Sequence, residues 1–185
     1  YMLTLDGNNL EGTIPNSLGK LKGLTGLYLA GNDLSGPIPP TIGNLTKLST
    51  LHLHVNKLSG SIPSSLIGCP LAELILSENS LAGHIPKELF LISTLSSYLY
   101  LQNNVLTGDL PIELGNLKNL ATLDFSSNQI SGQIPGTLGE CQVLQYLNAS
   151  HNNLQGTIPL SVEQMKGLST IDLSHNNLSG NIPEF

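Results

Sequence analysis

The chain has 185 residues, 39% of them hydrophobic, which is enough to bury a sizeable core and excludes a disordered tail. Only 11% are charged: seven Lys, no Arg and thirteen acids give a net charge of -6. That balance excludes a nucleic-acid partner, which needs clustered cations against phosphate, and disfavours an anionic membrane surface.

In chain order, residues 1–5 carry neither the basic region nor the apolar run of a signal peptide. They read instead as a short strand, with Leu3 and Leu5 inward and Thr4 and Asp6 outward. Asn8 follows, then Gly12-Thr13-Ile14-Pro15, then Leu18 and Leu21. The same order recurs to the end of the chain. Its glycines are Gly12, Gly36, Gly60, Gly83, Gly108, Gly132, Gly156 and Gly180, spaced by 24, 24, 23, 25, 24, 24 and 24 residues. Four residues before each glycine stands an Asn, from Asn8 to Asn176, and before each Asn comes Leu-x-Leu or a close variant. Residues 89–108 are the longest uncharged stretch, but Ser93, Thr94, Ser96, Ser97 and Gln102 interrupt it, so no direct membrane insertion is expected.

Each column has a chemical reason. Leu-x-Leu alternates with period two, as in a strand with one buried face. Asn offers an acceptor and two donors where the chain turns out of the strand, and stacked Asn side chains predict a ladder. Gly allows backbone conformations and close approaches that other residues resist, and Pro ends strand pairing. No single repeat can bury its apolar side alone, whereas eight stacked copies bury one continuous core.

Cys69 and Cys141 occupy a column that elsewhere holds Leu21, Leu45, Ile92, Leu117 and Met165. They lie three repeats apart, roughly 14 Å at strand spacing, beyond the ~7 Å reach of a disulfide. Two free, buried thiols are predicted.

The pattern Leu-x-x-Leu-x-Leu-x-x-Asn-x-Leu resembles the leucine-rich repeat, and the tail Ser-Gly-x-Ile-Pro-x-x-Leu-Gly-x-Leu resembles its plant-specific subclass. The resemblance spans essentially all 185 residues. It implies an α/β solenoid: one domain over residues 1–185, a right-handed superhelix of about eight 24-residue repeats with a concave parallel β-sheet and no caps. A narrower resemblance rests on Leu138-Gly139-Glu140-Cys141, Met165-Lys166-Gly167-Leu168, Ile171–Phe185 and the one-residue expansion in Ile92–Leu99. These segments are similar to grass receptor-like kinases of the subfamily that holds the bacterial-blight resistance receptor and the sensors of bacterial flagellin and elongation factor. That resemblance implies an ectodomain outside the plasma membrane, followed by one transmembrane helix and a Ser/Thr kinase. Neither the paired-cysteine caps of that family nor a kinase signature occurs in this sequence, which reads as a fragment of a larger ectodomain or a truncated relative.

The outward positions of the strands do not repeat, and a column free of the fold's demands is free to serve recognition. Tyr28, His52, His54, Glu73, Ile75, Glu78, Tyr98, Tyr100 and Gln102 are the candidate ligand-binding residues, a mixed aromatic stripe across four repeats. Four of the five Tyr lie on this face, and aromatics with polar tips are common binding anchors. The resemblance implies a peptide or protein ligand there, and a co-receptor leucine-rich repeat kinase near Asp172, Ser174 and His175 at the C-terminal end.

Other chemistries find weaker support. His52 and His54 lie within reach of Glu73 or Glu78, a donor set that suits zinc, but the spacing is no metal motif and neither metal nor cofactor is expected. The histidines, with His151 and His175, can titrate near neutral pH. Asp124 and Asp172 stand two repeats apart, roughly 10 Å, and read as solvated structural acids rather than a catalytic pair. No nucleophile elbow or phosphate loop appears, so no enzyme is expected. Asn44, Asn148 and Asn177 head glycosylation sequons, with Asn177 expected to be crowded by its neighbouring ladder Asn. Two alternatives stay open: a secreted inhibitor of a cell-wall hydrolase, of the polygalacturonase-inhibitor kind, and an ice-binding protein. The outward column Thr4, Tyr28, His52, Ile75, Tyr100, Asp124, Asn148, Asp172 lacks the regular threonine array of an ice face.

Overall fold

The computed structural model describes residues 1–184. Eight three-residue strands, from Met2–Thr4 through Gly26–Tyr28, Thr50–His52, Glu73–Ile75, Tyr98–Tyr100, Thr122–Asp124 and Tyr146–Asn148 to Thr170–Asp172, form one parallel sheet in sequence order. Its register pairs Leu27 with Leu51, Leu51 with Leu74, and Leu74 with Leu99, one apolar rung per repeat. A second parallel sheet of six strands runs from Glu11–Thr13 to Gln129–Ser131, and the strands Gln155–Thr157 and Asn177–Ser179 continue it as a pair. A single bridge, Gln133 to Gln155, joins the two parts.

The convex side carries seven 3₁₀ turns of five residues, from Asn16–Lys20 to Leu160–Gln164. The helical component of the solenoid is therefore 3₁₀ throughout the described residues, with no α-helix among them. Each turn starts after the Pro of the Gly-x-Ile-Pro motif, whose extended backbone caps it, as at Pro39 (φ -68°). Short turns suit a repeat that advances only one strand width on each side. The turns stack so closely that a side chain on Gly43 would run into the Ser65 backbone. No helix among the described residues is long and apolar enough to cross a membrane.

The core is one continuous cluster from Ile14 to Met165. Leu27, Leu51, Leu74, Leu99 and Leu123 are wholly buried, each worth about 1.5–3 kcal/mol relative to exposure. Regularity bends once: Phe125 stands where other repeats have Leu, and the next repeat has Ala149, so a large ring and a small neighbour line the same small apolar space with Leu147 and Leu173.

The Asn ladder is present. The Asn104 amide donates to the carbonyls of Leu101 (3.1 Å) and Gln102 (3.4 Å) in its own loop and of Leu76 (3.1 Å) one repeat earlier. Its Oδ1 accepts the Leu81 N–H at 2.9 Å. Asn32, Asn56, Asn79, Asn128, Asn152 and Asn176 use the same pattern. The Gly column has two causes. Gly108 sits at φ +81°, and a Cβ there would collide with the imidazole of His84, the x residue of the preceding Gly-x-Ile-Pro.

Cys69 and Cys141 are free and buried, and burial pushes each thiol up to about 11. Their Sγ–H groups donate to the Ile42 and Leu114 carbonyls.

Candidate functional site

The concave sheet sets its outward side chains in columns one strand apart. Tyr28 leads the stripe. Its ring lies back across Gly26, where an added Cβ would fall 2.7 Å from Cε2, and its edge meets the His52 imidazole with centroids 4.9 Å apart and planes at 83°. His52 Nε2 approaches Glu73 Oε2 at 3.2 Å, and the His54 ring stands 5.8 Å from His52. Ile75 is the Cα partner of both His52 and Tyr100, which bridges the two halves of the stripe. Tyr98 and Tyr100 then pair at 5.4 Å and 41°. Tyr28, His52, Ile75 and Tyr100 are half-buried, while Tyr98 and Glu78 are exposed. The sequence-derived stripe is thus one connected surface.

Two polar atoms of these side chains have no partner among the described residues: His54 Nδ1 and Gln102 Oε1, both buried. Between their repeats stands the small Ser77. His54 is held below the ordinary imidazole value first by burial and then by His52, against the opposing pull of Asp6 and Glu78. Burial, followed by the neighbouring Tyr98 and Asp124, raises Tyr100.

The column after the second inward leucine is less open than its sequence implies. Ser77, Ser126 and Ser150 are buried, and so is Asp124, expected to be solvated. Asp124 Oδ1 accepts Ser126 N–H and Oγ–H at 2.9 and 2.7 Å, and its Oδ2 accepts from the Asn148 amide at 3.3 Å. Its role is to tie adjacent repeats together. Asp172 accepts the Ser174 N–H at 2.9 Å, and the Ser174 hydroxyl first and this N–H second hold its carboxyl below the usual range. Ser174 and His175 are exposed, and His175 stacks on His151 at 4.0 Å and 13°.

That stack belongs to a column whose backbone conformation the sequence reading did not include. Val55, Glu78, Asn103, Ser127, His151 and His175 all take left-handed backbone, φ 52° to 56°, just before the ladder Asn. The signal was present: the same column opens with Gly7 and Gly31. Val55, Glu78, Asn103, His151 and His175 are exposed, and Ser127 is half-buried.

Among the sequon residues, Asn44 and Asn177 are exposed, so the expected crowding at Asn177 is absent. Asn148 is half-buried, with its Oδ1 accepting the Ser150 N–H. No three His, Cys, Asp or Glu side chains come together as a metal-holding group among the described residues.

Sequence models described as leucine rich repeat match residues 93–154, 142–185, and 2–21, 23–45 and 47–69. No curated protein sequence matches the chain. Among solved structures, the plant peptide hormone receptor RGFR1 in complex with RGF2 is 41% identical, with TM-score 0.94 over 96% of this chain and 28% of that one. The Arabidopsis receptor kinase HAESA, in complex with the peptide hormone IDA and the co-receptor SERK1, is 35% identical, with TM-score 0.74 over 95% of this chain and 34% of that one. A plant ice-binding protein is 31% identical, with TM-score 0.78 over 99% of this chain and 66% of that one. The chain therefore spans about a third or less of the two receptor structures. Repeat models that together cover most of its length, on a solenoid whose Leu, Asn and Gly columns recur in every turn, place the chain in the family of leucine-rich repeat proteins.

Proposed function

We propose that the chain is the extracellular ligand-recognition module of a plant leucine-rich repeat receptor-like kinase, binding a peptide or protein on its concave or lateral face in immune or developmental signalling. One observation carries this reading. The inward positions of the first sheet stay apolar and the ladder position stays Asn in every repeat, while the outward positions on the same strands do not repeat, and they gather an aromatic stripe on an open surface. The likeness to plant receptor ectodomains supports it. The parent protein would present this module at the outer side of the plasma membrane. The grass kinases that share the Ile171–Phe185 pattern would be among its relatives. Asp172, Ser174 and His175 would then meet a co-receptor leucine-rich repeat kinase. The module itself binds and does no chemistry.

Hydrogen exchange on the purified chain, screened against plant secreted peptides, tests the proposal. The expected result is ligand-dependent protection centred on Thr50–His52, Glu73–Ile75 and Tyr98–Tyr100. Protection confined to the 3₁₀ turns, or none with any peptide, overturns it. Ice binding would demand a flat periodic face, whereas Tyr28 and His52 meet edge-on and Ile75 and Tyr100 follow.

A further inference from the structure

The concave face carries charge of one sign. None of the seven lysines lies on the eight-stranded sheet or in the loops leaving it toward the ladder Asn, and the chain has no arginine. Lys20, for example, ends a 3₁₀ turn, and Lys57 opens a strand of the second sheet, where it pairs with Asp33 at 2.6 Å. Carboxylates do occupy the face. Asp6, Asp124 and Asp172 are engaged by backbone N–H groups. Glu73 is not: Oε2 meets His52, and among the described residues Oε1 has no hydrogen-bond partner.

What surrounds Glu73 points to its complement. Its Cα partner on the next strand is Tyr98, whose ring pairs with that of Tyr100 at 5.4 Å. The faces of such rings attract ammonium and guanidinium groups. The Glu73 oxygen without a partner and the faces of the two tyrosine rings all ask for positive charge and hydrogen-bond donors. None favours an anionic ligand, which would also meet the negative field of the face.

We propose that repeats three to five take an extended peptide through a Lys or Arg side chain seated between Glu73 Oε1 and the rings of Tyr98 and Tyr100. The proposal rests on the reading of the concave face as the ligand-recognition face, and it adds the chemistry of the ligand.

A phage library of random dodecapeptides, selected on the whole chain, tests it. The expected outcome is enrichment in Lys and Arg. Replacing the key cation by norleucine, or Glu73→Gln in the protein, should each weaken the selected peptides about tenfold or more. Glu73→Lys should turn the selection toward acidic peptides, a gain that a misfolded variant would not show. Selected peptides that need Tyr98 and Tyr100 but tolerate Glu73→Gln would overturn the cation seat and leave the concave binding face standing. Selections that enrich nothing, or peptides indifferent to both tyrosines, would overturn both readings.

Discussion

The Tyr28 ring meets the His52 imidazole edge-on because Gly26, two residues back on the same strand, lets the ring lie down on the sheet. Any side chain at position 26 would lift it. Gly26→Ala alone should change stability little, because a smaller unfolded-state entropy is offset by the displaced ring. In a Tyr28→Ala background the same substitution should stabilise by about 0.4–1 kcal/mol. A urea double-mutant cycle measures the difference. Additive effects would show that the ring does not depend on Gly26.

The ladder makes a graded prediction. Asn104 is buried and holds backbone groups of two neighbouring repeats, while Asn8 is exposed and its amide reaches only Leu5 and Asp6 in its own loop. Asn104→Ala leaves the Leu81 N–H unsatisfied, while the Leu76 carbonyl keeps its bond from the Asn79 amide, and should cost about 1–3 kcal/mol. Asn8→Ala should cost under about 1 kcal/mol, since water replaces its bonds. Equal losses in urea unfolding would remove burial as the cause.

Repetition made most of the fold legible. The Leu, Asn, Gly and Pro columns report constraints that every turn of the solenoid shares, so eight copies state each one eight times. The x residue of Gly-x-Ile-Pro was not legible, because His84 and Asp109 reveal their role only by filling the space over the next glycine. Nor was the burial of Asp124: a carboxylate on a strand reads as solvated until Ser126 and Asn148 are seen to close over it. The stripe was legible as a list of residues. Its connectivity was not, since the His52–Glu73 contact and the orphaned Gln102 Oε1 depend on how side chains cross between strands.

Val55 stands in left-handed backbone, φ 53°, where a β-branched side chain clashes and the other repeats use Gly, Glu, Asn, Ser or His. It is 44% exposed, so little apolar burial offsets that cost. Val55→Asn should raise stability by about 1 kcal/mol, read as a higher Tm in calorimetry. Because Val55 borders His54 on the stripe, a variant that gains stability and loses ligand affinity would mark the strain as functional. A lower Tm would show that Val55 packs against something worth more than its strain.

His54 gives the stripe a dependence on pH whose sign can be fixed. Burial and His52 favour its neutral form, against Asp6 and Glu78. The unfolded chain therefore takes up this proton first as pH falls through about 6.5. Stability is full above that value and declines below it, until the folded protein also protonates. Asp172 acts in the same direction but in a separate window, because its carboxyl is held below 3.8 and its contribution fades only in stronger acid. Unfolding free energies at about pH 7.5 and about pH 5.5 should thus differ, with the acidic value lower. His54→Asn should remove part of that difference while leaving the Asp172 window in place. An unchanged slope in that variant would assign the decline to other groups.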